Sequence, residues 1–330
     1  MSELHKFLFD GLPVRGMIVR LTDAWVEILR RRAANSETGA YAPAVRELLG
    51  EMAAAGVLMQ SNIKFNGALV FQIQGDGPVK LAVAEVQSDL SLRATATLVG
   101  DVPLDAVGLT PVVNVNGNGR CAITLDPKTR LPGQQPYQGI VPLNGEHGQK
   151  LDKLSDVLEQ YMRHSEQLDT TIVLAANDQV AAGLLIQRMP VKGEGNLEAE
   201  KGADTAEDQM DLNEEYNRIS TLASSLTRDE LLTLDVDTIL RRLFWEEKLL
   251  RFVPQQGPDG PRFACTCSRD RVSNMLRGLG QDEVDGVVEE RGQVEVGCEF
   301  CGQQYRYDAV DVAQLFAEPG TLPPGPRNIQ

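Results

Sequence analysis

Four of the chain's five cysteines crowd into 37 residues near the C-terminus: Cys265-Thr266-Cys267, thirty residues, then Cys298-Glu299-Phe300-Cys301. Two close cysteine pairs at this separation supply four soft ligands, the set that Zn²⁺ takes tetrahedrally. Cys265 and Cys267 stand at i and i+2, so on an extended segment both thiols point the same way. Gly302, directly after Cys301, suits a tight ligand turn because it tolerates positive φ. Met1 to Asp10 shows no basic stretch followed by an apolar core, so no secretory signal is expected. The expected compartment is the cytosol, where thiols stay reduced and clustered cysteines mean metal or redox chemistry rather than a disulfide framework.

Around the cysteines, the sequence predicts a small domain over 253–318. Val272, Met275, Leu276 and Leu279 recur at helix spacing, Gly280 stops that helix, and Val284, Val287 and Val288 mark a second. Val294 with Val296 leads into the second cysteine pair as a strand, and Tyr305 with Tyr307 leaves it as another. Large apolar residues are few here, so the domain should depend on its metal; structural zinc supplies about 10–16 kcal/mol in small zinc modules. Spacing alone leaves a structural staple and a redox-reactive centre both open. A disulfide across Cys-x-Cys would close a very small ring and be easily reduced. Four metal-bound thiolates are also the form that oxidants attack.

At 330 residues the chain is long enough for two or three domains. Residues 1–190 read as an α+β core, mainly antiparallel sheet with packed helices. Phe7–Phe9 and Val14–Val19 are strands across a Gly-Leu-Pro turn; Thr22 is a helix cap ahead of Trp25, Ile28 and Leu29; Pro43 opens a helix reaching Met59. Alternating residues from 63 to 98 predict strands, and Val113 and Val115 followed by Asn116-Gly117-Asn118-Gly119, Ile123 and Leu125 predict a hairpin. A helix over 148–166 and strands at 171–175 and 180–185 close the core. The acidic, Gly-rich stretch 191–210 reads as a linker. Residues 211–252 read as short amphipathic helices, one opened by the Thr227–Glu230 capping box and one capped by Asp235. Helices this short need a partner surface to fold on. Residues 319–330, with Pro319, Pro323, Pro324 and Pro326, read as a disordered tail.

A net charge of −15 repels phosphate backbones, and the longest basic run, Arg30-Arg31-Arg32, sits where it complements a helix dipole. Nucleic-acid partners are therefore not expected. No membrane partner is expected either, because no apolar run reaches the length of a span. Catalytic zinc keeps an open position, whereas four cysteines close the site. His5, His147 and His164 lie far from it in sequence, and no G-x-S-x-G, H-E-x-x-H or P-loop occurs, so an enzyme is not expected. Cys121 reads as a buried small hydrophobe, and His147 as a surface-loop residue.

Several blocks together resemble a known family. Cys265-x-Cys267 followed by Cys298-x-x-Cys301-Gly302 is similar in order and separation to the zinc motif of the 33-kilodalton chaperonin family, the redox-regulated bacterial heat-shock chaperones. The helix Leu240-Arg241-Arg242-Leu243-Phe244-Trp245-Glu246-Glu247 resembles the segment before that family's zinc domain. Gln74–Pro78, Pro136–Val141, Ser165–Leu168 and Ala181–Gln187 resemble further family blocks, in the family's order. The stretch 191–210 looks longer than the family's usual connection, and His147 stands where serine is expected. The resemblance implies an ATP-independent holdase, inactive while reduced and zinc-bound. Oxidation would convert the ligands into disulfides Cys265–Cys267 and Cys298–Cys301 and release zinc. The zinc domain and the segment 211–252 would then loosen, and a dimer would bind unfolding client proteins. The competing reading is a zinc-ribbon module with purely structural zinc that recognises a fixed protein partner.

Overall fold

The computed structural model describes residues 1–35, 39–129, 135–190 and 206–317, side chains of 206–212 excepted. It divides into two compact units, Met1–Ala264 and Cys265–Gln330.

The first unit begins with the hairpin β1 (Glu3–Phe9) and β2 (Val14–Leu21), then α1 (Asp23–Ala33) and α2 (Pro43–Asn62). Strands β3 (Gly67–Gln74), β4 (Val79–Gln87) and β5 (Ser91–Leu98) follow as a meander, then the single turn α3 (Thr110–Val113) and strands β6 (Arg120–Pro127) and β7 (Tyr137–Pro142). Helix α4 (Leu154–Ser165), strands β8 (Thr170–Ala176) and β9 (Ala181–Arg188), and helices α5 (Ala206–Ser224), α6 (Arg228–Thr233) and α7 (Val236–Leu243) come next. Short strands β10 (Leu249–Arg251), β11 (Gln255–Gln256) and β12 (Arg262–Phe263) complete the unit. One sheet runs β10-β1-β2-β9-β8, with β11 also on β1; the other runs β12-β5-β4-β3-β6-β7. Every pairing is antiparallel except β12 with β5. This is the α+β, mainly antiparallel architecture expected.

Helix α2 lies between the sheets, packing on β4 and β5 of one and β8 and β9 of the other. It is buried from Met52 to Gln60 without interruption, which suits a central helix rather than an amphipathic one. Small residues let the layers close up. A Cβ on Gly50 would meet the Ala176 Cβ at 2.4 Å. The first sheet is buried on both faces, and its alternation shows it. Met17, Val19 and Leu21 of β2 join the cluster around α2, while Ile18 joins a second cluster with Phe7, Phe9, Leu184 and Ile186. That second cluster is covered by α5–α7 through Tyr216, Ile219, Leu231, Ile239, Leu240 and Leu243. The partner surface that these short helices require is thus a sheet face of their own unit.

Several expectations are corrected. The hairpin at 116–119 does not form. Pro111 starts the turn α3 instead, and the Asp76 carboxylate accepts the Asn118 N–H at 2.8 Å, fixing the loop. β6 therefore pairs with β3 and with β7, whose half-exposed Tyr137–Pro142 gave no clear alternation. Thr22 precedes α1 without capping it; the Ser2 hydroxyl accepts from the N–H groups of Thr22 (3.0 Å) and Ala24 (3.2 Å). The helix expected from 148 starts at Leu154. Helix α5 begins at Ala206, inside the stretch expected as linker, and residues 191–205 lie outside the described ones. The helical segment expected to reach 252 ends at Leu243, because Leu249–Arg251 pairs with β1. Residues 253–264, expected with the cysteines, belong to the first unit through β11 and β12. The expected tail 319–330 lies outside the described residues. Among the described residues no helix is long and apolar enough to cross a membrane. Cys121 is fully buried in β6, as expected, where burial raises its thiol pKa; His147 is exposed in a loop.

The second unit holds α8 (Arg269–Leu279), α9 (Gln281–Arg291), the hairpin β13 (Val294–Gly297) and β14 (Gln304–Tyr307), and α10 (Ala309–Phe316). α8 and α9 meet at Gly280, whose φ is 98°. Helix α10 was not expected, although Asp308 and Asp311 close a capping box at its start. The apolar cluster has five buried members: Leu276, Val284, Val294, Tyr307 and Val312.

Candidate metal centre

Each cysteine is placed by a local device. Cys265 and Cys267 lie on the segment before α8, whose first turn is capped by the Ser268 hydroxyl accepting the Arg271 N–H at 3.2 Å. The Arg271 guanidinium also donates to the Thr266 hydroxyl at 2.7 Å, pinning the residue between the two thiols. Cys298 and Cys301 occupy the turn joining β13 to β14. There the Gly302 N–H donates to the Cys298 carbonyl at 2.8 Å and the Cys298 N–H to the Gln303 carbonyl at 2.9 Å. Gly302 has φ 74°, the left-handed conformation that the sequence anticipated for it.

These devices bring the four sulfurs within 4.8 Å of one another. Cys265 Sγ is 3.6 Å from Cys298 Sγ, and Cys267 Sγ is 3.4 Å from Cys301 Sγ. Four sulfurs bound tetrahedrally to Zn²⁺ at about 2.3 Å stand about 3.8 Å apart, so the donor set and its spacing fit such an ion. Among the described residues this is the one group of three or more His, Cys, Asp or Glu side chains able to hold a metal. The three histidines lie in the first unit; His5 pairs with Glu3 and His164 with Glu146.

The electrostatics point the same way. Sharing a hydrogen with Cys265, then burial, raises the Cys298 thiol pKa. Burial chiefly pushes the Cys301 thiol up to about 11. Four sulfurs this close repel as anions, and a bound cation is what favours all four thiolates together. One residue at the site escaped sequence reasoning. The Tyr305 hydroxyl donates to Cys267 Sγ at 3.2 Å, where the sequence marked Tyr305 only as a strand position.

The family model described as Hsp33 protein matches residues 2–308. The 33 kDa chaperonin of Chromobacterium violaceum is 44% identical over 318 residues, covering 96% of this chain and 94% of the relative. The 33 kDa chaperonin of a Neisseria meningitidis serogroup A strain is 41% identical over 95% of this chain and 91% of its own. The crystal structure of the 33 kDa chaperonin (heat shock protein 33 homolog) of Thermotoga maritima shares the fold, with a TM-score of 0.70 at 20% identity, covering 95% of this chain and 97% of that one. Sequence blocks, cysteine geometry and comparisons converge: the chain belongs to the Hsp33 family, and with it to the chaperones.

Proposed function

We propose that this chaperone is an ATP-independent holdase switched on by oxidation of Cys265, Cys267, Cys298 and Cys301. The observation that carries the reading is the convergence of four sulfurs within 4.8 Å in a unit whose apolar cluster has, among the described residues, five buried members. Bound there, Zn²⁺ would tie the α8 segment to the β13–β14 turn and keep the four sulfurs as thiolates.

Activation proceeds on the chain's own sulfurs. With peroxide as oxidant, each pair of thiolates gives up two electrons, one S–S bond forms, the O–O bond breaks, and with two protons two waters leave. The expected pairs are Cys265–Cys267 and Cys298–Cys301, as the family resemblance implies. The ligand set is thereby lost and zinc released. The Cys265–Gln330 unit, deprived of its metal, unfolds. Loosening of α5–α7 would uncover the sheet face of Phe7, Phe9, Ile18, Leu184 and Ile186 for unfolding proteins. The net charge of −15 would keep such complexes dispersed. The activated form is proposed to be a homodimer working in the cytoplasm under oxidative and heat stress.

The test treats reduced, zinc-loaded protein with peroxide at elevated temperature. Zinc release, disulfide mapping and suppression of aggregation of a denatured client are followed together. The proposal expects all three to rise in step. Retained zinc, or equal suppression by the reduced form, leaves the metal a structural staple.

A further inference from the structure

We propose that Tyr305 is a positioning residue that restrains Cys267, its hydroxyl holding down the reactivity of that one sulfur toward oxidants. The inference rests on the redox-switch reading above. Cys267 and the second cysteine pair are held by different devices. Cys298 and Cys301 are held by backbone bonds, from the Gly302 N–H to the Cys298 carbonyl at 2.8 Å and from the Cys298 N–H to the Gln303 carbonyl at 2.9 Å. Those donors belong to the ligand turn itself. The Cys267 sulfur instead accepts from a side-chain hydroxyl on β14, at 3.2 Å. Tyr305 pairs with Val296 of β13, and its ring packs on the unit's apolar cluster. The hydroxyl therefore stays on the sulfur only while the β13–β14 ladder is intact.

A hydrogen bond to a thiolate draws off the electron density it would offer an oxidant. In the step at issue, the Cys267 sulfur gives an electron pair to one peroxide oxygen. The O–O bond breaks, and the other oxygen leaves as water after taking a proton. The Cys265 sulfur then attacks the Cys267 sulfur, forming the disulfide and, with a second proton, expelling the second water. Loss of the Tyr305 bond favours the first of these attacks. Fraying of the ladder by heat would have the same effect, coupling unfolding to oxidation through one hydroxyl.

Tyr305→Phe keeps the ring and removes the donor. Zinc-loaded wild type and variant are mixed with peroxide, quenched with a thiol-alkylating reagent, and each cysteine pair is quantified by mass spectrometry. The readout is the oxidation rate of Cys265/Cys267 divided by that of Cys298/Cys301. This ratio should rise about three- to tenfold in Tyr305→Phe. With Co²⁺ in place of zinc, the sulfur-to-metal charge-transfer band should move to lower energy. Tyr307→Phe loses a hydroxyl that donates to the Arg269 carbonyl at 2.9 Å rather than to sulfur, and should leave the ratio unchanged. Replacing Tyr305 by 3-fluorotyrosine, a stronger donor, should lower the ratio, which keeps the test decisive if the Phe variant folds poorly. An unchanged ratio in both Tyr305 replacements, with wild type still forming both disulfides, overturns the role of Tyr305 alone. Wild type that forms no disulfides and keeps its zinc overturns the switch reading beneath it.

Discussion

Around α2 in the first unit, Trp25, Leu49, Met52, Leu58 and Phe71 are fully buried between two sheets, and a second apolar cluster fills the far face of one sheet. Among the described residues the cysteine unit offers Leu276, Val284, Val294, Tyr307 and Val312, with Met275 and Leu279 of α8 half-exposed. The first unit can stand on burial, at about 25 cal/mol per Å² of apolar surface removed from water. The second falls in the size range where a core of this kind seldom suffices without a staple. Under the proposed switch, the contrast would let one chain hold a durable body and a part that responds to chemistry. Where stability comes from burial, the oxidisable groups, such as Met52 and Cys121, are shielded from an oxidant. Were it to come from sulfur–metal bonds, as proposed for the second unit, the stabilising groups would themselves be the reactive ones.

The contrast is broken most severely by removing a ligand. Cys298→Ser, or chelation of the metal, should cost the second unit most of its stability, on the order of 10 kcal/mol, and weaken zinc affinity sharply. The sheets and α2 of the first unit should keep their melting transition, while α5–α7 should loosen with the cysteine unit. Unchanged zinc affinity in Cys298→Ser would remove that residue from the ligand set. A smaller effect is expected where the two modes of stabilisation meet functionally. Ile239→Ala, at a fully buried position of α7, should loosen the α5–α7 cover by about 2–5 kcal/mol. Client binding by the reduced, zinc-bound protein should then rise; a variant that is destabilised yet still inactive when reduced would show that the client surface lies elsewhere.

The smallest effect is a matter of pH within the first unit. Glu51 of α2 lines a cavity of about 460 Å³ with Glu47, Glu159 and Arg228. Burial, then the Glu47 charge, push its carboxyl up to about 8, against an ordinary 4.5; Arg228 works the other way. The folded chain thus keeps a proton that the unfolded chain releases, and stability falls as pH rises from 4.5 to about 8. Glu51→Gln has no charged form to penalise. Its advantage over wild type should be absent below pH 4.5, grow through that window and level off above about 8, as read from denaturant melts. A pH-independent difference would contradict a buried, titrating carboxyl.

How much of this was legible in sequence depended on how local the cause was. Pro43, the Thr227–Glu230 box, Asp235 and Gly280 act within a turn of their own position, and the elements they bound appear as expected. The spacing of the four cysteines also predicted their convergence, because the intervening α8–α9 and β13–β14 signals were strong. What escaped was set at a distance. β10, β11 and β12 are two or three residues long and exist through partners about 170 to 250 residues away. α3 replaced a hairpin because Asp76, forty residues upstream, captures the loop. Tyr305 alternates like any strand residue, and only the fold reveals that its hydroxyl reaches a sulfur. Helix α10 is the exception, since Asp308 and Asp311 were a readable local signal.

Hydrogen exchange read by mass spectrometry, before and after peroxide at elevated temperature, tests the division of labour most directly. Amides of 265–317 should lose protection as zinc leaves, those of 206–243 should follow, and those of α2, β2 and β9 should keep theirs. Protection retained in 265–317 after the metal has gone, or lost in α2 at the same rate, would contradict a cysteine unit held by its metal beside a body held by its core.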